Sequence, residues 1–294
     1  MKLLIVGANG LLGRKVTAYF SGNGVPVIKA SHLDTADIHL DLRTPPTQAF
    51  IQSVPLDTTH AMICSSITSI DYCFEHAEES FAFNVLNTIT LLQMLFERGI
   101  MSIFCSSDLV FKGDNGNYAE NDLREPTTEY GRQKKVVEDF ILKQDAPHLI
   151  IRMSKLYSTD SDDTSPIRQI ITSLQSGQAI RAATDQKICP TCVDDIPRVI
   201  HNLTSNNLYG VYHVTSEQCY TRYDLALLLA SKLQKTDLVH PCSICEFKFK
   251  QARPINNSLE ISKVRSALGF HFCSLEEMLP ALFANLPLAA WCSI

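Results

Sequence analysis

The chain opens with an apolar run, Leu3 to Val6, that breaks directly into Gly7-Ala8-Asn9-Gly10-Leu11-Leu12-Gly13 and then into an amphipathic stretch. This order of strand, glycine turn and helix constrains the fold more than any other feature. Glycines let the backbone turn tightly and approach a ligand closely, and the helix that follows offers unpaired N–H groups at the positive end of its dipole. A plain strand-to-helix turn needs fewer glycines. Residues Gly7, Asn9, Gly10, Leu11, Leu12 and Gly13 are therefore expected to cradle the pyrophosphate of a dinucleotide, with a spacing one residue longer than GxGxxG.

The pattern downstream agrees. Apolar runs at 2–6, 25–30, 39–42, 61–64, 102–106 and 149–152 read as strands buried on both faces, and 11–20, 79–98 and 130–144 carry helical periodicity. The alternation predicts an α/β fold with a doubly wound parallel sheet of the Rossmann type over residues 1–152. Past Arg152 it gives way to a polar loop at 160–166, helices at 167–174, 193–202, 221–233, 262–268 and 275–283, and short strands at 180–183 and 210–214. Residues 153–294 are assigned mainly to a smaller α+β substrate lobe, able to exchange segments with the first domain and to form a cleft with it.

At 294 residues and 45% hydrophobic content the chain can bury a large core. A net charge of −5 with scattered Lys and Arg argues against nucleic acid or an anionic membrane as a partner, leaving small molecules. The N-terminal apolar run is too short for a signal peptide and no stretch approaches the roughly 20 apolar residues of a membrane helix, so a cytoplasmic protein is expected. In that setting the ten cysteines (64, 73, 105, 189, 192, 219, 242, 245, 273 and 292) are expected as reduced thiols. Cys189-Pro190-Thr191-Cys192 and Cys242-Ser243-Ile244-Cys245 have the spacing of two half zinc sites, but their separation is too long for a typical pair, and no metal is predicted.

Four further signals bear on chemistry. The second strand ends Lys29-Ala30-Ser31-His32 with no carboxylate before Asp34, so Ser31 is placed near the ribose and NADP(H) is favoured over NAD(H). Asp41 and Leu42, ending the third strand, suit the adenine, although a solvated strand-end Asp explains the same residue. Tyr130 and Lys134 stand four apart, on one face of a helix, where an ammonium favours the phenolate of an adjacent tyrosine. Ser107 ends the fifth strand, 23 residues earlier (130 − 107), where a hydroxyl can donate to a carbonyl oxygen; a strand-end cap explains it equally when taken alone.

With Ile70-Asp71-Tyr72-Cys73, Ala82-Phe83-Asn84-Val85, Ser106–Phe111, Gly116–Glu120, Arg152–Tyr157, Asp185-Gln186, Pro190-Thr191, Gly210–His213 and Arg253-Pro254 in this order, the sequence resembles the extended short-chain dehydrogenase/reductase family, in its dTDP-4-dehydrorhamnose reductase-like branch. The resemblance implies hydride transfer from the nicotinamide to the 4-keto group of a nucleotide-linked deoxysugar. Tyr130 would be the general acid, Lys134 would tune it and hold the nicotinamide ribose, and Ser107 would bond the substrate carbonyl. Cys64, Ser65 and Ser66 would lie beside the cofactor and Asn84 on the bordering helix. Asp108, Lys155 and Arg253 complete the expected substrate set, Arg253 as a diphosphate clamp or as a structural ion pair.

The chain departs from that pattern at Leu109, where the rhamnose-forming branch carries an aromatic residue, and at Lys155, where it carries tryptophan. The specific sugar is thereby left open. Arg14 and Lys15 replace the acid through which some relatives place a divalent ion at a dimer contact, so no such ion is expected; a homodimer is compatible with the resemblance. Asp185 and Gln186 suit either the sugar pocket or a polar turn, and His213, on an apolar strand, reads as a satisfied core histidine. Two readings compete: a non-catalytic binding protein, since the same branch resembles the regulatory subunit of methionine adenosyltransferase, and an epimerase that retains its cofactor.

Overall fold

In the computed structural model, which describes residues 1–284, Leu3, Leu4, Ile5 and Val6 are all buried, as a strand covered on both faces requires. This strand, β1 (Leu3–Val6), lies inside a seven-stranded sheet and pairs in parallel with β2 (Val27–Ser31) and β4 (His60–Ile63). Beyond β2 lies the short β3 (Ile38–His39); beyond β4 lie β5 (Met101–Ser107), β6 (His148–Met153) and the outer strand Gly210–His213. Every pairing is parallel. The strand order therefore reverses at β1, and the carboxyl ends on either side of it open a crevice.

Helices close both faces. On one side α1 (Leu11–Gly22) contributes Val16 and Phe20, and the helix Asp195–Ser205 contributes Ile196, Val199, Ile200 and Leu203. On the other, Leu91, Leu92 and Leu95 pack with Val137 and Ile141 against Leu4, Ala61 and Phe104. The helix predicted over 79–98 is a run of Ala77–Phe81, Ala82–Asn87 and Thr88–Glu97, of which the middle piece is π-helical. Wide turns of this kind re-aim side chains and recur at functional sites; here it carries Asn84.

Past Met153 a second core forms around Tyr157, Ile167, Ile171, Leu225, Leu229 and Leu279, bounded by three two-stranded ladders. The chain leaves this lobe to supply both the Asp195–Ser205 helix and the outer strand of the central sheet. Arg14 and Lys15 also link the two regions: Arg14 pairs with Asp162 at 2.9 Å, and Lys15 reaches Asp160 at 2.8 Å and Asp194 at 3.1 Å.

One expectation is overturned. Cys189 and Cys219 form a disulfide and are not reduced thiols. The antiparallel pairing of Ile188 with Tyr220 sets the next residue of one strand opposite the preceding residue of the other, which brings the two sulfurs together. Spacing had linked Cys189 to Cys192, which instead stays a buried thiol. Cys292 lies outside the described residues. Among those described, no group of three or more His, Cys, Asp or Glu is arranged to hold a metal, and no helix is long and apolar enough to cross a membrane.

Candidate active site

The glycine turn is built as a cradle. Gly7 has φ +82°, and a Cβ there would meet the Ser65 backbone nitrogen at 2.7 Å; a Cβ on Gly13 would meet the Gly7 carbonyl oxygen at 2.2 Å. Both clashes are with backbone that cannot move aside, so the turn needs glycine at each position. Gly10, the N-cap of α1, supplies no side-chain cap, and the first-turn N–H groups of Leu11, Leu12 and Gly13 are left for a ligand. This arrangement fits a pyrophosphate.

From the cradle a cavity of about 420 Å³ extends past Gly7, Asn9, Ser31, His32, Asp41, Leu42, Arg43, Ser65 and Phe83. Ser31 is buried and its hydroxyl accepts from Leu33 N at 3.1 Å. Asp41 is held by the Arg43 guanidinium, whose Nε lies 2.8 Å from Oδ2, and that contact pulls the carboxyl below its usual range. His32, read in the sequence at the end of the second strand, lines the same end, and so does Arg43, which was not foreseen.

A second cavity of about 420 Å³ shares Gly10, Cys64 and Ser66 with the first and brings Ser107, Asp108, Tyr130, Lys134 and Lys155 together. Tyr130 and Lys134 lie in the helix Glu129–Ile141, started by Thr128, whose hydroxyl accepts from Gly131 N at 3.1 Å. Gly131 is itself decisive, since a Cβ there would fall 2.1 Å from the Leu109 carbonyl oxygen. The helix can therefore lie directly against the turn carrying Ser107 and Asp108. Lys134 Nζ donates to Cys105 O at 2.8 Å and sits 5.6 Å from the Tyr130 ring centroid.

The electrostatics differ from the expectation that Lys134 tunes Tyr130 down. Burial pushes the Tyr130 phenol up, with a hydrogen bond to Ser66 opposing it. The phenol is consequently neutral at ordinary pH and holds a proton that it can donate. Burial also pushes Lys134 down to about 8. Asp108, fully buried, is raised by desolvation, with Lys155 the leading opposing influence.

Ser107 has the strand-end capping role that the sequence allowed. It lines the cavity, yet its hydroxyl donates to Asp108 Oδ1 at 2.9 Å and accepts from Leu109 N at 3.2 Å. Asn84, buried, accepts from Ser66 Oγ at 3.0 Å and Ile67 N at 2.8 Å and donates to Gln133 Oε1 at 2.7 Å. It thus ties the loop after β4 to the helix of Tyr130.

On the substrate side a recess of about 50 Å³ shares Asp108, Leu109 and Lys155 with this cavity and adds Gln186, Arg222 and Arg253. Lys155 is open to these hollows but walled by protein, and burial lowers its pKa, with Asp108 opposing. Arg253 is less available than the sequence suggested. Its fork is held by Asp71 at 2.9 and 2.8 Å, and it stacks on Phe249 at 4.4 Å. Arg222, missed in the sequence, has its Nε on Gln186 Oε1 and leads into a hollow of about 200 Å³ lined by Ile170, Ile180, Phe247 and Phe249. Gln186 thus lines the site, whereas Asp185 clasps Ser243 and Ile244 N outside it. His213 is fully buried: Arg152 can only donate to its Nε2 and the Glu260 carbonyl can only accept from its Nδ1, which fixes the neutral ring.

With this geometry in view, comparison with known proteins is informative. The model of the family described as RmlD substrate binding domain matches residues 1–287. The chain is similar, at 26% identity over 97% of its length and 98% of the relative's, to the probable low-salt glycan biosynthesis reductase Agl14 of Haloferax volcanii. It is 24% identical to a dTDP-4-dehydrorhamnose reductase of Aggregatibacter actinomycetemcomitans, covering 91% of this chain and 93% of that one. Among solved structures, the dTDP-4-dehydrorhamnose reductase of Bacillus anthracis in complex with NADP superposes with a TM-score of 0.85 at 24% identity, over 97% and 100% of the two chains.

Proposed function

The chain belongs to the RmlD substrate binding domain family, and from that membership we propose that it reduces the 4-keto group of a nucleotide-linked deoxysugar, with Tyr130 delivering the proton. It is an oxidoreductase of sugar nucleotides that uses a nicotinamide cofactor. The observation that carries the residue assignment is the single cavity in which the glycine cradle, Ser107, Tyr130 and Lys134 meet.

The cofactor, when bound, supplies the hydride. Gly7, Asn9 and Gly10–Gly13 bind its pyrophosphate; Ser31, Asp41 and Leu42 line the adenosine end, and Cys64, Ser65 and Ser66 the middle. His32 and Arg43 at the ribose end, with no carboxylate on Ser31 or its neighbours, support NADP(H) over NAD(H). Lys134 holds the nicotinamide ribose and is itself held by the Cys105 carbonyl. Ser107 turns its hydroxyl from Asp108 to the substrate carbonyl, and Tyr130, kept neutral by burial, gives its proton to the oxygen.

The substrate lies along the connected hollows, mainly in the second lobe: sugar beside Tyr130 and Ser107, diphosphate against Lys155 and Arg222, base toward Phe247 and Phe249. Asp108 and Arg253 shape this path, Arg253 mainly by fixing Phe249 through its pair with Asp71. Retention of Ser107, Tyr130 and Lys134 in one cavity favours the enzyme over a non-catalytic subunit. The deciding assay mixes the protein with NADPH or NADH and a panel of nucleotide-linked 4-keto deoxysugars. Oxidation of NADPH in step with alcohol formation is expected; binding of cofactor without turnover of any sugar would refute the reading.

A further inference from the structure

The reaction above leaves two nucleophiles in the cofactor cavity without a task. Cys64 follows β4 and Cys105 lies in β5, one position beyond the paired Ile63 and Phe104, so the two face each other across adjacent parallel strands. Their sulfurs are 3.9 Å apart, and both side chains line the cavity with Gly10–Gly13 and Lys134. Neighbouring strands run about 4.8 Å apart, within the roughly 4.4–6.8 Å between the Cα atoms of a cystine. Neither cysteine is in the disulfide that the chain already has.

We propose that Cys64 and Cys105 are a dithiol site in the floor of the cofactor cavity, oxidised to a disulfide by exchange with a low-molecular-weight disulfide and shielded from it by bound nicotinamide nucleotide. The proposal rests on the cofactor placement argued above. Cys64, the more exposed of the two, gives up its proton to solvent and attacks one sulfur of the reagent, releasing one reduced thiol. The Cys105 sulfur then attacks the mixed disulfide, also losing its proton, and expels the second reduced thiol. The protein loses two electrons and the reagent gains them.

The consequence for the site is mechanical. Closing the sulfurs from 3.9 Å to the roughly 2.05 Å of a bond turns both side chains from their places in the cavity floor, at a strand spacing that already suits a cystine. The bridge thereby reshapes the floor beside Lys134, which the Cys105 carbonyl holds. Cys105 and burial hold the Cys64 thiol well above its ordinary range, with Lys134 opposing, so little thiolate forms and exchange is slow.

The test incubates the full chain with excess bis(2-hydroxyethyl) disulfide, with and without saturating NADPH, and maps the cysteines by peptide mass spectrometry. A cross-link between the peptides bearing Cys64 and Cys105 is expected, with a loss of NADPH affinity of about tenfold or more, restored by a reducing dithiol, and little cross-link when NADPH is present. Cys64→Ser, which lacks the attacking sulfur and is compared with its own untreated sample, should keep its NADPH affinity through treatment, whereas Cys105→Ser should hold the mixed disulfide on Cys64 with no cross-link. Separate single adducts on the two cysteines of the parent, a cross-link that forms as fast under NADPH, or equal loss of affinity in Cys64→Ser would each overturn the proposal. Cross-linking and affinity are read without turnover, so a failed reductase assay leaves this test intact. If the untreated chain bound no NADPH, the cofactor placement and this proposal would both fall.

Discussion

At the scale of single residues, burial decides the chemistry. Removing the Tyr130 hydroxyl takes away the proposed proton donor but little of the wall, so Tyr130→Phe should lower kcat by about 10²–10⁴-fold while leaving NADPH affinity within a few-fold; near-normal turnover would show that another group gives the proton. Lys134 offers a second test. Its folded pKa of about 8 lies below the ordinary lysine value, so the unfolded chain binds the extra proton and stability rises with pH between the two. Burying this ammonium thus costs stability at neutral pH. Lys134→Met should melt higher than the parent at pH 7, by an advantage that fades toward about pH 10.4, while losing turnover. A variant less stable than the parent throughout that range would contradict the electrostatic account. The Tyr130–Lys134 pair was legible because helical spacing is local. The direction of the phenol shift was not, because it depends on walls contributed by distant segments.

Among the elements, the helix Glu129–Ile141 matters most, because its approach to the Ser107 turn sets how Tyr130 and Lys134 meet Ser107 in the cavity. Gly131→Ala would place a Cβ 2.1 Å from the Leu109 carbonyl oxygen and push the helix outward. A loss of about 1–3 kcal/mol in urea unfolding, together with a fall in kcat larger than any change in cofactor affinity, is expected; unchanged kcat and stability would mean that the contact yields freely. The clue stood in the sequence, a glycine directly after the candidate acid, but its meaning required the turn opposite. Strands and most helices were legible from apolar runs and periodicity. The π-helical turn at Ala82–Asn87 was hidden, because its residues keep a helical pattern and only their hydrogen bonding shifts. Arg222, Phe247 and Phe249 were missed for a related reason: they reach the site from separate segments and belong to no local motif.

Over the whole molecule, a buried polar knot joins the helix Glu129–Ile141 to the sheet. Glu138 meets Arg152 at 2.8 Å and Arg124 at 2.9 Å, and Arg152 reaches His213 on the outer strand. Burial, with Arg152 beside it, pushes His213 down to about 3. Its folded pKa lies below its unfolded one, so the stability that it contributes is present above about pH 6.5 and is lost as pH falls toward 3. Unfolding free energies from urea titrations should fall by roughly 2 kcal/mol between pH 7 and 5 from this group, and His213→Asn should flatten that slope; an equal slope in the variant would assign the acid loss elsewhere. The Cys189–Cys219 bridge also belongs at this scale, since the ladder that aligns the two sulfurs is tertiary and no spacing rule reaches it.

The outer strand Gly210–His213 pairs with β6, yet the whole first part of the substrate lobe separates them in the chain. During synthesis β6 leaves the ribosome with one edge bare, and that edge stays bare until residue 213 has emerged. The growing chain therefore passes through a stage in which a nearly finished sheet offers an open parallel edge to any extended segment nearby. Completion of the nucleotide half is timed by translation of the other half, and a ribosome stalled between residues 153 and 209 would hold an aggregation-prone fragment, not a finished domain.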